Sequence, residues 1–297
     1  MAWFWVTIAS YFLNSLSLLV NKFLLTEKIK NPAVYTVFTC FLMLSVIVLL
    51  PFDWRPPTSY EVFIELFAGF FFGLGVLFMF MALKHGETSR VIPIVGGLQP
   101  LVVLPLTWYW LGEAVGTSFI IALLLIVAGT FLISYESGKL GRKAYLWSAI
   151  SAILFAISIV ATKEAFNSQD SFITPFVISR FGAVLLGMLL LINPRNLRDL
   201  IQEVTKPKAQ SGPLFFFSQG AGAAASVLLN LAFAISSGVT AIINALQGIQ
   251  YVFLLAGVII LSKFFPKILK ENLGGAVLVQ KVIATALIIA GIALLSF

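Results

Sequence analysis

Apolar residues fill most of this chain in long runs, broken by short polar segments. The runs fall near 2–24, 33–51, 62–83, 91–111, 116–135, 144–163, 173–192, 213–235, 239–262 and 277–297. A helix needs ~20 mostly apolar residues to cross a bilayer, so the pattern predicts ten transmembrane spans. Most connections are too short to hold a soluble domain. The two longest, 193–212 and 263–276, predict an interfacial amphipathic turn or two.

The runs are not uniformly apolar, and the interruptions repeat. Span 4 contains Gly97-Leu98-Gln99 followed by Pro100, and span 9 contains Gly248-Ile249-Gln250. Span 1 carries Ser10, Ser17 and Lys22, and span 6 carries Ser151, Ser158 and Lys163 at the same spacing. Spans 5 and 10 end in the related strings IVAGTFLISY and IIAGIALLSF. Three matches in register predict two copies of a five-helix unit, residues 1–138 and 139–297. Five is odd, so the second copy enters the membrane upside down. Such inverted repeats place a substrate site near the midplane, where irregular backbone is tolerated because it lines a cavity. The expected fold is therefore an all-α polytopic membrane protein of ten transmembrane helices in two inverted five-helix repeats.

Composition agrees with the pattern: 60% of residues are hydrophobic and 10% charged, against about 25% charged in soluble domains. The net charge of +7 arises in the loops, so it sets topology and does not signal nucleic acid. Sixteen of the nineteen Lys and Arg follow odd-numbered spans or sit at their ends. The positive-inside rule then puts those loops in the cytoplasm and both termini outside. A single cysteine, Cys40, excludes an internal disulfide.

Segment 82–134 resembles the drug/metabolite transporter superfamily, in particular its ten-helix EamA-type permeases. Ala82-Leu83-Lys84, Leu98, Pro100, Leu111-Gly112-Glu113 and Ala128-Gly129 carry the resemblance, with Phe155-Ala156, Lys163 and Arg180-Phe181 in the second half. The resemblance implies a 5+5 inverted fold moving small metabolites, with spans 1, 3, 4, 6, 8 and 9 around a central cavity. The chain departs from the pattern at Asn14-Ser15, at Tyr251 opposite Pro100, and at KFFPKILKEN in place of a Gly-Glu turn. Family members also commonly have cytoplasmic termini, the reverse of what the loop charges indicate.

Enzyme signatures are missing: there is one histidine, His85, and no HExxH, CxxC or phosphate loop. The protein is expected not to be an enzyme and to need no cofactor. Arg180 lies inside span 7, where a charge is costly and hence a functional candidate, here a possible anchor for a substrate anion. Lys163, at the end of span 6, is expected to snorkel to the interface. Mid-span amides need partners in so dry a setting: Asn14, Gln99, Asn244, Gln247 and Gln250. Asn244, Gln247 and Tyr251 are spaced i, i+3, i+7 and share a face of a continuous helix. The expected substrate-binding set is Asn14, Gln99, Arg180, Asn244, Gln247, Gln250 and Tyr251.

From these residues the expected function is secondary transport or facilitation of a small polar metabolite, an amino acid or related solute, by alternating access. The alternatives are a flippase for a lipid-linked substrate and a non-transporting scaffold whose amides only pair with each other. The expected partners are a small-molecule substrate and the lipid bilayer, with no nucleic acid, and the protein is a monomer or homodimer. The expected location is the plasma membrane, in a prokaryote the inner membrane.

Overall fold

Polar residues at the edges of the apolar runs start the helices. The side chain of Asn31 accepts from the Ala33 amide at 3.0 Å and caps a helix whose first residue is Pro32, a position that loses nothing by lacking an N–H. Thr58 and Glu61 form a reciprocal capping box. In a computed structural model that describes residues 2–24, 31–86, 88–114, 116–135, 141–205, 212–264 and 275–295, helix is the only regular structure. The order is α1 (Ala2–Leu24), α2 (Pro32–Leu42), a 3₁₀ stretch (Met43–Phe52), α3 (Ser59–His85), α4 (Thr88–Leu106), a π-turn (Thr107–Leu111), α5 (Thr117–Ser134) and α6 (Arg142–Asn167). There follow α7 (Ile173–Leu191), α8 (Pro194–Thr205), α9 (Gly212–Ile235), α10 (Thr240–Ala245), α11 (Gly248–Phe264) and α12 (Gly275–Leu295).

Among the described residues seven segments are long and apolar enough to span a membrane, and three shorter apolar helices occupy 117–132, 220–235 and 279–294. Together they account for the ten runs, and the chain is an all-α polytopic membrane protein. Two runs depart from a plain α-helix. Span 2 changes to 3₁₀ geometry at Met43 and holds it through Pro51, whose ring clashes with the carbonyl four residues earlier in an α-helix. Span 9 is broken into α10 and α11. Span 4 carries Pro93, Pro100 and Pro105 and yet stays helical from Thr88 to Leu106. In the 193–212 connection α8 forms with Leu197 and Ile201 exposed. The connection at 263–276 and the side chain of Lys22 lie largely outside the described residues.

Two compact units emerge, each drawing helices from both halves of the chain. Unit 1 comprises Met1–Lys28, Ala114–Glu136 and Ala209–Phe297; unit 2 comprises Ile29–Glu113 and Ser137–Lys208. Unit 1 therefore holds α1, α5 and α9–α12, and unit 2 holds α2–α4 and α6–α8.

The repeated serines join helices in each unit. In unit 2, Ser151 Oγ donates to the Gly75 carbonyl and Ser158 Oγ to the Ala68 carbonyl, each at 2.8 Å, binding α6 to α3. In unit 1, Ser10 Oγ donates to the Ala225 carbonyl at 2.7 Å, and Ser17 and Ser218 hydroxyls meet at 3.3 Å, binding α1 to α9. The repeated glycines have a matching use in unit 1. A Cβ on Gly129 of α5 would stand 2.7 Å from the Ala284 carbonyl of α12, and one on Gly291 of α12 would stand 2.8 Å from the Ala122 carbonyl of α5. Each glycine thus admits the backbone of the other helix, the small-residue packing that drives helix association in lipid.

Candidate functional site

The break in span 9 is a change of hydrogen-bond register. The amides of Gln247, Ile249 and Gln250 reach back three residues, to the carbonyls of Asn244, Leu246 and Gln247, at 3.0–3.1 Å. An unbroken α-helix would instead pair the Gln247 amide with the Ile243 carbonyl. That carbonyl is taken over by α1, whose Tyr11 hydroxyl donates to it at 3.0 Å. Gly248, a poor helix former, stands where the chain resumes α geometry.

Three residues along α1 from Tyr11, Asn14 Nδ2 donates to Gln250 Oε1 at 2.7 Å. One helix thus holds both sides of the break, α10 through Tyr11 and α11 through Asn14. Tyr11 is buried with Ile242 and Leu246, under a layer that includes Phe4, Phe119, Leu229 and Ile292. Phe12 of α1 and Phe253 of α11 meet edge to face at 5.3 Å between ring centroids.

Within this frame Asn244, Gln250 and Tyr251 are buried, and Asn14 and Gln247 are half-buried. The expected i, i+3, i+7 stripe assumes a continuous helix, and the structure corrects it. Tightening to i+3 bonds brings side chains three apart into line, which draws Asn244, Gln247 and Gln250 toward one row and leaves Tyr251 on the resumed helix. The row is not self-satisfied. Asn244 Oδ1 is buried without a hydrogen-bond partner among the described residues, an acceptor that costs free energy until a donor reaches it.

The remaining expected site residues lie in unit 2. Gln99 is buried on α4. Arg180 is buried on α7 with its guanidinium 4.5 Å above the Phe176 ring. Phe176 stacks on Phe172 at 5.4 Å, and Phe172 on Phe166 at 5.5 Å, so Arg180 caps a column of three rings. Such a cation–π seat stabilises a desolvated guanidinium.

Lys163 does not snorkel. Helix α6 continues to Asn167, which leaves Lys163 only 2% exposed and within electrostatic reach of Glu113. Glu113 is delivered by the π-turn closing α4, where Gly112 adopts φ 67° and the Glu113 amide donates to the Thr107 carbonyl at 3.2 Å. A left-handed φ of this kind suits glycine. Gln169 is a residue that sequence reasoning missed: it follows α6 in a connection, yet it is buried and donates to Glu65 Oε1 of α3. No group of three or more His, Cys, Asp or Glu suited to a metal occurs among the described residues.

Residues 1–135 match the EamA-like transporter family, which supports membership of the drug/metabolite transporter superfamily. No curated protein matches the chain. Among 28 solved chains that do, one crystal structure aligns with a TM-score of 0.67 over 99% of this chain and 96% of its own, at 18% identity. At that identity the likeness shows a shared fold and nothing about substrate.

Proposed function

We propose that the protein is a secondary transporter or facilitator that moves a small polar metabolite, an amino acid or related solute, across the plasma membrane by alternating access. The observation that carries this reading is Asn244 Oδ1, a buried acceptor without a partner among the described residues, in a break that Tyr11 and Asn14 hold open. A substrate ammonium, amide or hydroxyl supplies the donor it lacks. Asn14, Gln247, Gln250 and Tyr251 then form the wall of that site, and within unit 2 Gln99 and Arg180 are separate candidates for contact with the solute, Arg180 for an anionic group. A discontinuous membrane helix whose freed backbone and amides face a solute is a recurring way to build such sites.

The parallel serine bonds of α1 and α6 support reading residues 1–138 and 139–297 as two inverted five-helix repeats. Loop charge supports placing both termini outside.

A scaffold reading draws on the Asn14–Gln250 bond, which already pairs two of the amides. Uptake into proteoliposomes, screened over amino acids, sugars and nucleotides, separates the two. The transporter reading expects saturable uptake of one class, with loss of most of it when Asn244→Leu and Gln250→Leu are combined. Uptake that survives the double substitution removes the pocket, and no uptake of any class leaves the scaffold.

A further inference from the structure

Glu65 is the seventh residue of α3, about 9 Å into the helix at ~1.5 Å per residue. Its side chain is fully buried and meets the Gln169 amide, Gln169 Nε2 donating to Glu65 Oε1. The other two oxygens of this pair, Glu65 Oε2 and Gln169 Oε1, are buried without hydrogen-bond partners among the described residues. A carboxylate oxygen and an amide oxygen only accept, so neither can satisfy the other, and both are costly in a dry interior.

The charged groups on the surrounding elements are engaged elsewhere or exposed. Glu61, one turn earlier on α3, closes the Thr58 capping box and lies 3.7 Å from Arg55 Nη2. On α6, Glu164 accepts from the Tyr60 hydroxyl at 3.0 Å and Lys163 faces Glu113. On α7, Arg180 covers Phe176, and Asp170, next to Gln169, is exposed. A metal ion does not fit, because two oxygens fall well short of the roughly six that hard cations gather.

One proton removes both deficits. Bound to Glu65 Oε2, it turns that atom into a donor toward Gln169 Oε1 and closes an acid–amide ring of two hydrogen bonds. Without it, both oxygens are acceptors only, and the second bond cannot form.

We infer that Glu65 is a proton-binding site, its exchangeable proton shared with Gln169, and that loading and release of this proton are coupled to solute movement. The coupling rests on the transport reading above, and the proton site does not. The proton is taken from water and returned to water, and no other bond is made or broken. Gln169 lies in the connection between α6 and α7, so the proton adds a second bond between α3 and that connection to the one that Gln169 Nε2 already makes.

Infrared difference spectroscopy on the full-length protein in lipid nanodiscs tests the site directly. The wild-type minus Glu65→Gln spectrum is expected to contain the C=O stretch of a protonated carboxylic acid at neutral pH. That band is expected to shift in Gln169→Leu, which removes the ring partner but keeps the acid. A difference spectrum holding only carboxylate stretches overturns the proposal, as does an acid band that Gln169→Leu leaves in place. In proteoliposomes, an imposed pH gradient is expected to change wild-type uptake severalfold and to leave Glu65→Gln uptake unaffected. The same response in both overturns the coupling. Should the wild type transport no solute at all, the transport reading fails, and the infrared result still decides the proton site.

Discussion

Replacing Gly129 by alanine drives a methyl group into the crossing of α5 and α12, and the structure sets the size of the effect. The new Cβ would lie 2.7 Å from the Ala284 carbonyl oxygen and 2.7 Å from Ile288 Cγ1, where ordinary contact begins at 3.4 Å. The helices must therefore separate by about 0.7 Å, and gaps of 0.5–1 Å forfeit a quarter to a half of the dispersion energy across them. Overpacking of this kind costs ~1–3 kcal/mol. Against that, alanine exceeds glycine in helix propensity by ~0.8–1 kcal/mol. The net expectation is a loss of about 0–2 kcal/mol for Gly129→Ala, below the Gly220→Ala control in every case, and a similar loss for Gly291→Ala, whose Cβ would lie 2.6 Å from Ile126 Cγ1. Gly220→Ala in α9 is the control: nothing lies within 4 Å of its Cβ, so propensity alone acts and stability holds or rises. Because one separation of the helices relieves both clashes, the double variant is expected to lose less than the sum of the singles. Reversible unfolding in mixed detergent micelles measures all four. If Gly129→Ala and Gly291→Ala match the Gly220→Ala control, or if their losses add fully, the reciprocal close approach is refuted.

Two further outcomes bear on the break and on orientation. Tyr11→Phe strips the Ile243 carbonyl of its partner and is expected to lower unfolding stability by about 1 kcal/mol; an unchanged stability means that another donor serves that carbonyl. A reporter active only in the cytoplasm, fused at the C-terminus, is expected to stay silent, and a signal from it overturns the orientation drawn from loop charge.

The ten apolar runs were legible as length, because lipid demands length and hydrophobicity above everything else. Among the described residues seven are long enough to span and three hold shorter apolar helices. The serine pairs were legible as a repeat, and each proved to be a pair of interhelical hydrogen bonds at matched spacing. Other features were hidden because they depend on partners far away in the chain. Gln99 and Gln250 look equivalent in sequence, yet α4 runs on through Pro100 while span 9 breaks ahead of Gly248. The register of that break depends on Tyr11, 232 positions from its acceptor. Lys163 at the end of a run looked like a snorkelling residue until α6 proved one turn longer and Glu113 was turned toward it. Gln169 read as a loop residue, and nothing local indicates that a carboxyl 104 positions away takes it inside. The switch of span 2 to 3₁₀ geometry falls in the uniformly apolar MLSVIVLLPF, whose one sign of it is Pro51.

The interleaving of the two units has a consequence for how the protein is made. Unit 2 needs nothing beyond Lys208, so its helices can dock while the ribosome is still adding the remainder. Unit 1 cannot, because α1 and α5 are synthesised early and their partners α9 and α12 come last. Through that interval Ser10 lacks the Ala225 carbonyl and Gly129 faces lipid in place of α12. Helices α1 and α5 are thus finished only after unit 2, although they are made before the partners they wait for. Along them the nascent chain is exposed to misassembly and quality control.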